Sequence, residues 1–352
     1  MFITVNNELS NGARECERYY RSPFIDAAPD QYMADPGLRI DGIFIPSHRE
    51  SSLALERIGE LASVSEVVCI LATRAAAHSF QTITLPKNVR IVSENLINQT
   101  QERFLTRPSS RNASQLASAV YDLPAKRNLA LQLARQWRLR RICLLDDDIA
   151  ISNRQIQAAS TVLSDTSPMA GFYVFDFPDV STIDHIQRFV TGEPSQTIPG
   201  GNCLFLFLDQ IDGYFPYIYN EDWIYVLHNA ARSPGIALGE VKQSAHTPWH
   251  DNVRVRFEEF GETIISGLLE LDQVLNANEA VSESFWTEVI RQRKQFLIGI
   301  HNACADSNQQ IVVGTALGTI TAFSGQDCVR FINAIRTELN DFLWLQDILR
   351  GA

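Results

Sequence analysis

The sequence predicts an α/β protein, a mostly parallel sheet with helices on both faces, followed by a helical C-terminal region. Three observations carry that reading. Strand-length apolar runs are continuous, as in Ile43-Phe44-Ile45, residues 65–73 and Ile142-Cys143-Leu144-Leu145; such runs mark strands buried on both faces of a parallel sheet. These runs alternate along the chain with stretches of helical apolar spacing. Beyond residue 252 the strand signals stop and helical spacing continues to the end. The expected organisation is therefore an N-terminal extension (1–38), an α/β domain (39–251) and a helical region (252–352).

Residues 1–35 are polar and turn-rich and read as an extension that wraps or trails the domain. The first strand centres on Ile43–Ile45 and closes at Pro46. A helix fits 50–63, where Leu53, Leu55, Ile58, Leu61 and Ala62 lie near helical spacing; strands follow at 65–73 and 88–94. The stretch 95–123 is polar and without a firm period, so a loop with a short helix is expected there. Pro124 opens a helix over 124–141 with Leu129, Ala130, Leu133, Ala134 and Trp137 on one face. The apolar strand 142–145 ends in Asp146-Asp147-Asp148. Then come a helix at 154–164, a strand at 170–177, a helix near 180–190 and the turn Pro199-Gly200-Gly201-Asn202. A strand at 203–208, a helix at 220–231 and a strand within 235–246 complete the domain.

With 352 residues, 45% hydrophobic and 20% charged, the chain can bury a full core, which excludes disordered and fibrous classes. Net charge −11 argues against nucleic acid or an anionic membrane as partner, although one local basic pocket would suffice for a small anion. The six cysteines are scattered without a CxxC pair, as reduced thiols are. No basic-then-apolar leader opens the chain, and no run approaches the length of a membrane helix, so a cytoplasmic protein without a transmembrane segment is expected. Phosphate-binding P-loop, dinucleotide, GxSxG and HExxH motifs are all missing.

Four local signals bear on chemistry. Asp146, Asp147 and Asp148 terminate an apolar strand, where open α/β sheets bind ligands. Adjacent acids repel unless a cation intervenes, and hard divalent ions prefer oxygen ligands; a solvated turn with an N-cap aspartate is the plainer alternative. Residues 126–141 carry six basic side chains and no acid. Arg135, Arg138, Arg140 and Arg141 read as a solvated face offsetting the aspartates. Lys126, Arg127 and Asn128 fall in a first helical turn, where cations oppose the helix dipole and need a partner such as phosphate. Asn220-Glu221-Asp222-Trp223 places acids at a helix start, which dipole stabilisation alone could explain. His246 and His250 follow the last strand and are candidate metal or phosphate partners, against an ordinary structural role.

In this order the parts resemble the GT-A fold nucleotide-sugar glycosyltransferases, closest to glycosyltransferase family 2. The resemblance rests on IPSHR (45–49), LATR (71–74), KRNLAL (126–131), DDD (146–148), GGN (200–202) and NEDW (220–223), and covers residues 39–250. It implies a metal-dependent transferase that moves a sugar from a nucleotide diphosphate donor, UDP first among them, to an acceptor hydroxyl. Pro46, Ser47, Arg49 and Arg74 would line the base and ribose pocket, and Lys126, Arg127, Asp146 and Asp147 would also contact the donor. Asp146 and Asp148, joined by His246 and His250, would hold Mn²⁺ or Mg²⁺. Gly200, Gly201, Asn202 and Trp223 would face the acceptor, with Asp222 as base in an inverting reaction and Glu221 orienting the acceptor. Ser47-His48-Arg49 departs from the acidic or Asn residue usual after the proline, and no Gln/Arg-x-x-Arg-Trp motif follows, which argues against a processive synthase. A sugar nucleotidylyltransferase would share the architecture, but SHRESS lacks the glycine-rich loop it needs; a non-catalytic nucleotide-sugar-binding module is the other alternative. The apolar faces of the helical region (Leu268, Leu269, Leu271; Phe342, Leu345, Ile348, Leu349) are expected to be covered, either by completing the acceptor site or in a homodimer.

Overall fold

Nearly every residue of one strand, Ile40–Ser47, is buried on both faces, and the sheet is built outward from it. The computed structural model describes residues 23–27, 35, 37–48, 56–74, 76, 84–114, 121–175, 181–192, 198–244, 252–271 and 278–340. In chain order the strands are β1 (Phe24–Asp26), β2 (Ile40–Ser47), β3 (Ser65–Ala72), β4 (Val89–Val92), β5 (Arg141–Leu145), β6 (Ile149–Ala150), β7 (Met169–Phe175), β8 (Cys203–Phe207) and β9 (Gly235–Gln243). The helices of the α/β part are α1 (Ile58–Val64), α2 (Glu94–Leu105), α3 (Pro108–Ser114), α4 (Leu123–Gln136), α5 (Asn153–Val162), α6 (Thr182–Thr191) and α7 (Glu221–Ala230). Those of the C-terminal region are α8 (Asn252–Leu269), α9 (Glu283–Ala303), α10 (Ser307–Ile320) and α11 (Gly325–Asn340).

The main sheet runs β1-β9-β7-β8-β5-β2-β3-β4, with β6 paired to β9 off this path. Within the main path only β8 is antiparallel to its neighbours, β5 and β7. Both faces are covered because successive residues of each central strand enter different cores. Ile43, Ile45, Val68, Ile70, Cys143 and Leu145 pack on one side, and Phe44, Cys69, Leu71, Ile142 and Leu144 on the other, where Leu129, Ala130 and Leu133 of α4 meet them. This is the predicted α/β architecture with its helical C-terminal region.

Several boundaries differ from the sequence reading for local reasons. Residues 24–26, inside the expected extension, form an edge strand parallel to β9, with Phe24 in the core. Among its described residues the stretch 95–123 holds two helices, α2 and α3, where a loop and one short helix were expected. Ser93 caps α2, whose buried face is Ile97, Thr100, Gln101 and Phe104; two polar members hide its period from a hydrophobic pattern. The helix expected to reach 141 ends at Gln136, and Arg138 takes a left-handed backbone (φ 57°) before β5. Arg140 pairs with Asp209, so it does not offset the aspartate triplet. Residues 49–55, including Arg49, and the His246–His250 segment lie outside the described residues.

The C-terminal helices share one core with the α/β part: Trp286, Phe260 and Phe331 cluster with Tyr214, Tyr217, Ile218, Ile224 and Leu227. Leu268 is buried there, with Leu269 and Leu271 packed against it, so this face finds its cover within the chain; residues 342–349 lie outside the described ones. Among the described residues no helix is long and apolar enough to cross a membrane. Cys69, Cys143, Cys203, Cys304 and Cys328 are buried free thiols.

Candidate functional site

The sheet order reverses at β2: β3 and β4 lie on one side of it, and β5 on the other. The carboxyl ends of β2 and β5 therefore form a topological switch point, the place where open α/β sheets bind ligands. Ser47 ends β2 and Asp146-Asp147-Asp148 follow β5. The triplet is not a solvated turn. Asp147 and Asp148 are each only 5% exposed, and every member is anchored. Asp147 Oδ2 accepts from Ser47 Oγ at 2.6 Å, and Asp148 Oδ2 accepts from Gln243 Nε2 at 3.2 Å. The Asp146 backbone N–H donates to the Asn202 carbonyl at 2.8 Å, tying the triplet to the glycine turn.

The first turn of α4 supplies the cations. Asp122 precedes α4 but its side chain caps no backbone N–H; its carboxylate receives Thr73 Oγ1 at 2.7 Å and lies 3.0 Å from Lys126 Nζ. Lys126 also donates to the Ser47 carbonyl (3.0 Å) and to Thr73 Oγ1 (2.7 Å). Arg127 reaches further. Its Nη1 donates to Glu221 Oε1 at 2.7 Å, and its Nη2 lies 3.2 Å from both oxygens of Asp146. Asn128 clasps the Phe215 backbone through both atoms of its amide. The cationic first turn is thus paired with protein carboxylates.

On the far side of Arg127 stands the acidic start of α7. Glu221 is 1% exposed, with one oxygen on Arg127 and the other accepting from Tyr121 OH at 3.0 Å. Enclosed this way, Glu221 braces Arg127 and does not open onto an acceptor. Asp222 is the more open of the pair, its side chain 14% exposed. Its Oδ2 accepts from the Gly201 N–H at 2.6 Å and stands 3.9 Å from Arg127 Nη1. A side chain at either glycine would have to displace a neighbouring charged group. A Cβ at Gly200 would come within 2.6 Å of Asp222 Oδ2, and one at Gly201 would overlap the Arg127 guanidinium. Trp223 Nε1 lies beside Gly200 as well.

The electrostatics follow from one guanidinium facing three carboxylates in a nearly dry setting. Burial works against the Arg127 charge, but Asp146, Glu221 and Asp222 outweigh it and raise its pKa. Burial pushes Glu221 up to about 7, with Arg127 pulling it down and Asp222 adding to the rise. Burial draws Lys126 below its ordinary value, with Asp122 opposing, and lifts the Tyr121 hydroxyl well above its own.

Of the other sequence candidates, Pro46 is buried inside β2 against Leu71 of β3, and Arg74 is exposed just past β3 with a left-handed backbone (φ 56°). Sequence reasoning missed Thr73, Asp122, Tyr121 and Gln243. Gln243 ends β9, so the strand-end rule that flags the aspartates could have found it; Tyr121 sits in the stretch without a period. Among the described residues no three His, Cys, Asp or Glu side chains gather closely enough to hold a metal unaided. Further oxygen donors come from neighbours of the aspartates: Asn202, whose carbonyl meets the Asp146 N–H, and Gln243, bonded to Asp148, each have a buried side-chain oxygen with no hydrogen-bond partner among the described residues. An all-oxygen set fits a hard divalent ion that also takes ligands from a bound phosphate.

No family model matches the sequence, and no curated protein does. Among solved structures, the chain is similar to glucosyl-3-phosphoglycerate synthase of M. tuberculosis, with 9% identity, a TM-score of 0.39, and coverage of 69% of this chain and 83% of that one. It is also similar to a Desulfovibrio desulfuricans G20 protein proposed to be a nucleotide-diphospho-sugar transferase, with 12% identity, a TM-score of 0.34, and coverage of 76% and 100%. Neither likeness, at that level, specifies a substrate.

Proposed function

We propose that the chain is a glycosyltransferase that moves a sugar from a nucleotide diphosphate donor, UDP first among them, to an acceptor hydroxyl. One observation supports this most. Arg127 joins Asp146 at the switch point to Glu221 and Asp222, which lie about 75 residues later in the chain, and so holds a strand-end acid and a helix-start acid in one cluster. The donor diphosphate lies along Ser47, Lys126 and the aspartates in this reading, with the acceptor beside Gly200, Gly201 and Trp223. Asp146 and Asp148 would hold Mn²⁺ or Mg²⁺, which when bound stabilises the negative charge developing on the departing nucleoside diphosphate.

In the transfer step the acceptor oxygen bonds to sugar C1, the bond from C1 to the phosphate oxygen breaks, and the hydroxyl proton passes to Asp222. The Gly201 N–H fixes that carboxylate through Oδ2 and so aims it as general base. Attack opposite to the leaving phosphate inverts C1. An α-linked donor is then expected to give a β product, read from the anomeric proton coupling early in the reaction; an α product removes Asp222 as base.

The decisive test is Asp148→Asn, which keeps an oxygen for Gln243 and removes the charge. Transfer is expected to fall by about three orders of magnitude, the scale on which lost electrostatic stabilisation acts, with the thermal unfolding profile retained. A variant with wild-type transfer in chelator overturns the reading. A thermal-shift panel of UDP-, GDP-, dTDP- and CMP-sugars with and without Mn²⁺ identifies the donor, since ligand at 100 times its Kd adds about 2.7 kcal/mol of stability.

A further inference from the structure

The C-terminal helices reach the candidate site at two consecutive residues of α8. Gly261 lies against the Tyr219 carbonyl so closely that a Cβ there would overlap its oxygen and carbon. Glu262 Oε1 accepts from Asn220 Nδ2 at 2.9 Å. Asn220 is the residue before Glu221-Asp222 and has a left-handed backbone, φ 64°. Its side chain does not cap α7, the usual use of an Asn at that position, because it is drawn to Glu262. Behind Glu262 stands Arg293 of α9, 3% exposed, with Nη1 at 3.6 Å from Glu262 Oε2 and Nε at 2.9 Å from Glu259 Oε1.

These contacts converge on one turn. A left-handed backbone is uncommon outside glycine, and Asn is among the residues that accept it most readily. Here the carbonyl before it is seated on a glycine and its side chain is held by a carboxylate that is itself tied to a buried arginine. Two residues later Asp222 meets the Gly201 N–H. The direction in which Asp222 leaves the helix start is therefore fixed from the helical region, more than a hundred residues beyond the aspartate triplet in the chain.

The geometry points to Gly261, Glu262 and Arg293 as a clamp that sets the turn at Asn220 and thereby positions Asp222 over the glycine turn. Asn220 and Glu262 are positioning residues in this account; neither touches the reacting atoms. The role rests on the reading of Asp222 as the acceptor-side base, while the clamp can be read out without substrate.

The test uses Glu262→Ala, Glu262→Gln and Asn220→Gly in the full chain, followed by amide hydrogen exchange and transfer kinetics. Glu262→Ala is expected to speed exchange over residues 219–226 and 200–203 by about tenfold, the scale of one lost hydrogen bond, with β2 and β5 unchanged. Glu262→Gln keeps an oxygen for Asn220 and restores protection. Asn220→Gly accepts the left-handed backbone but loses the bond, and it leaves Glu262 and Arg293 paired, so it reports on the clamp if Glu262→Ala fails to fold. In transfer assays the loosened variants are expected to lose about tenfold in kcat, with the donor KM unchanged and Glu262→Gln near wild type. Unchanged exchange over 219–226, or exchange raised equally throughout α8–α11, overturns the clamp. Local loosening in a chain whose wild type transfers sugar from none of the donors sinks the transferase reading, and with it the positioning role, leaving only a structural brace.

Discussion

Two buried arginines, Arg127 and Arg293, are each surrounded by carboxylates. Arg127 meets Glu221 at 2.7 Å, Asp146 at 3.2 Å and Asp222 at 3.9 Å, while Arg293 meets Glu259 at 2.9 Å and Glu262 at 3.6 Å. Each also lies over an aromatic ring, Phe215 in one case and Phe296 in the other. The chemistry is nearly the same, but the setting differs. The Arg293 cluster pairs α8 with α9, and through Glu262 it reaches Asn220. The Arg127 cluster draws on α4, a strand end and α7, and its guanidinium covers a glycine turn that offers backbone and no side chain. Buried ion pairs add little net stability over apolar packing, so their retention calls for another reason. At Arg293 the geometry suggests bracing; at Arg127 it suggests a place for a ligand among the carboxylates.

Removing each cation breaks or sharpens this contrast. Arg127→Met and Arg293→Met each leave buried carboxylates unpaired, and each is expected to cost about 3–5 kcal/mol in urea unfolding. They should then diverge. The wild type and Arg293→Met are expected to gain thermal stability from the donor nucleotide-sugar with Mn²⁺, and Arg127→Met to gain none. Equal loss of the ligand-induced shift in both variants removes the distinction between site and brace.

The glycines give a second pair. In Gly261→Ala the new Cβ meets the Tyr219 backbone, which cannot turn aside, so a loss of about 2–3 kcal/mol is expected, toward the upper end for overpacking. In Gly201→Ala the Cβ meets the far end of the Arg127 side chain, which can shift at the expense of its ion pairs. A smaller stability loss, about 1–2 kcal/mol, is expected there, together with the larger loss of transfer. Urea midpoints and single-turnover rates compare the two, and the reverse order would mean that Arg127 is the more rigid neighbour.

The same two clusters show how far the sequence is legible. Asp146-Asp147-Asp148 was visible because a continuous apolar strand ends there, and strand ends in parallel sheets point to ligands. The glycine turn and Glu221-Asp222 were visible as parts of a resemblance, but their joining through Arg127 was not, since a basic residue in a first helical turn says nothing of which distant carboxylate it meets. Hence Lys126 and Arg127 read as waiting for phosphate, while both are already paired within the chain. The Arg293 cluster left no signal at all. Glu259, Glu262 and Arg293 lie on helices α8 and α9 among apolar residues, where acids and bases at such spacing ordinarily mark a solvated face. The packing of α8 and α9 against each other and against α6 turns them inward. The fold was legible because continuous apolar runs report burial on both faces; α2 was not, because half its buried face is polar.

The pH dependence of stability tests both clusters through their buried acids. Burial raises Glu221 to about 7 and Glu262 to about 8. Both folded values exceed the ordinary carboxylate value near 4.5, so the folded state holds these protons more tightly than the unfolded chain does. Each group therefore contributes stability that is fully present below pH 4.5 and is lost as pH rises through its folded value. The slope reaches at most about 1.4 kcal/mol per pH unit for one proton. Both losses are expected to run from about pH 5 up through the folded values. Glu221→Gln and Glu262→Gln should each flatten the fall of the urea midpoint over this range. A fall left unchanged by either variant would mean that burial does not hold a proton on that carboxyl in the folded state.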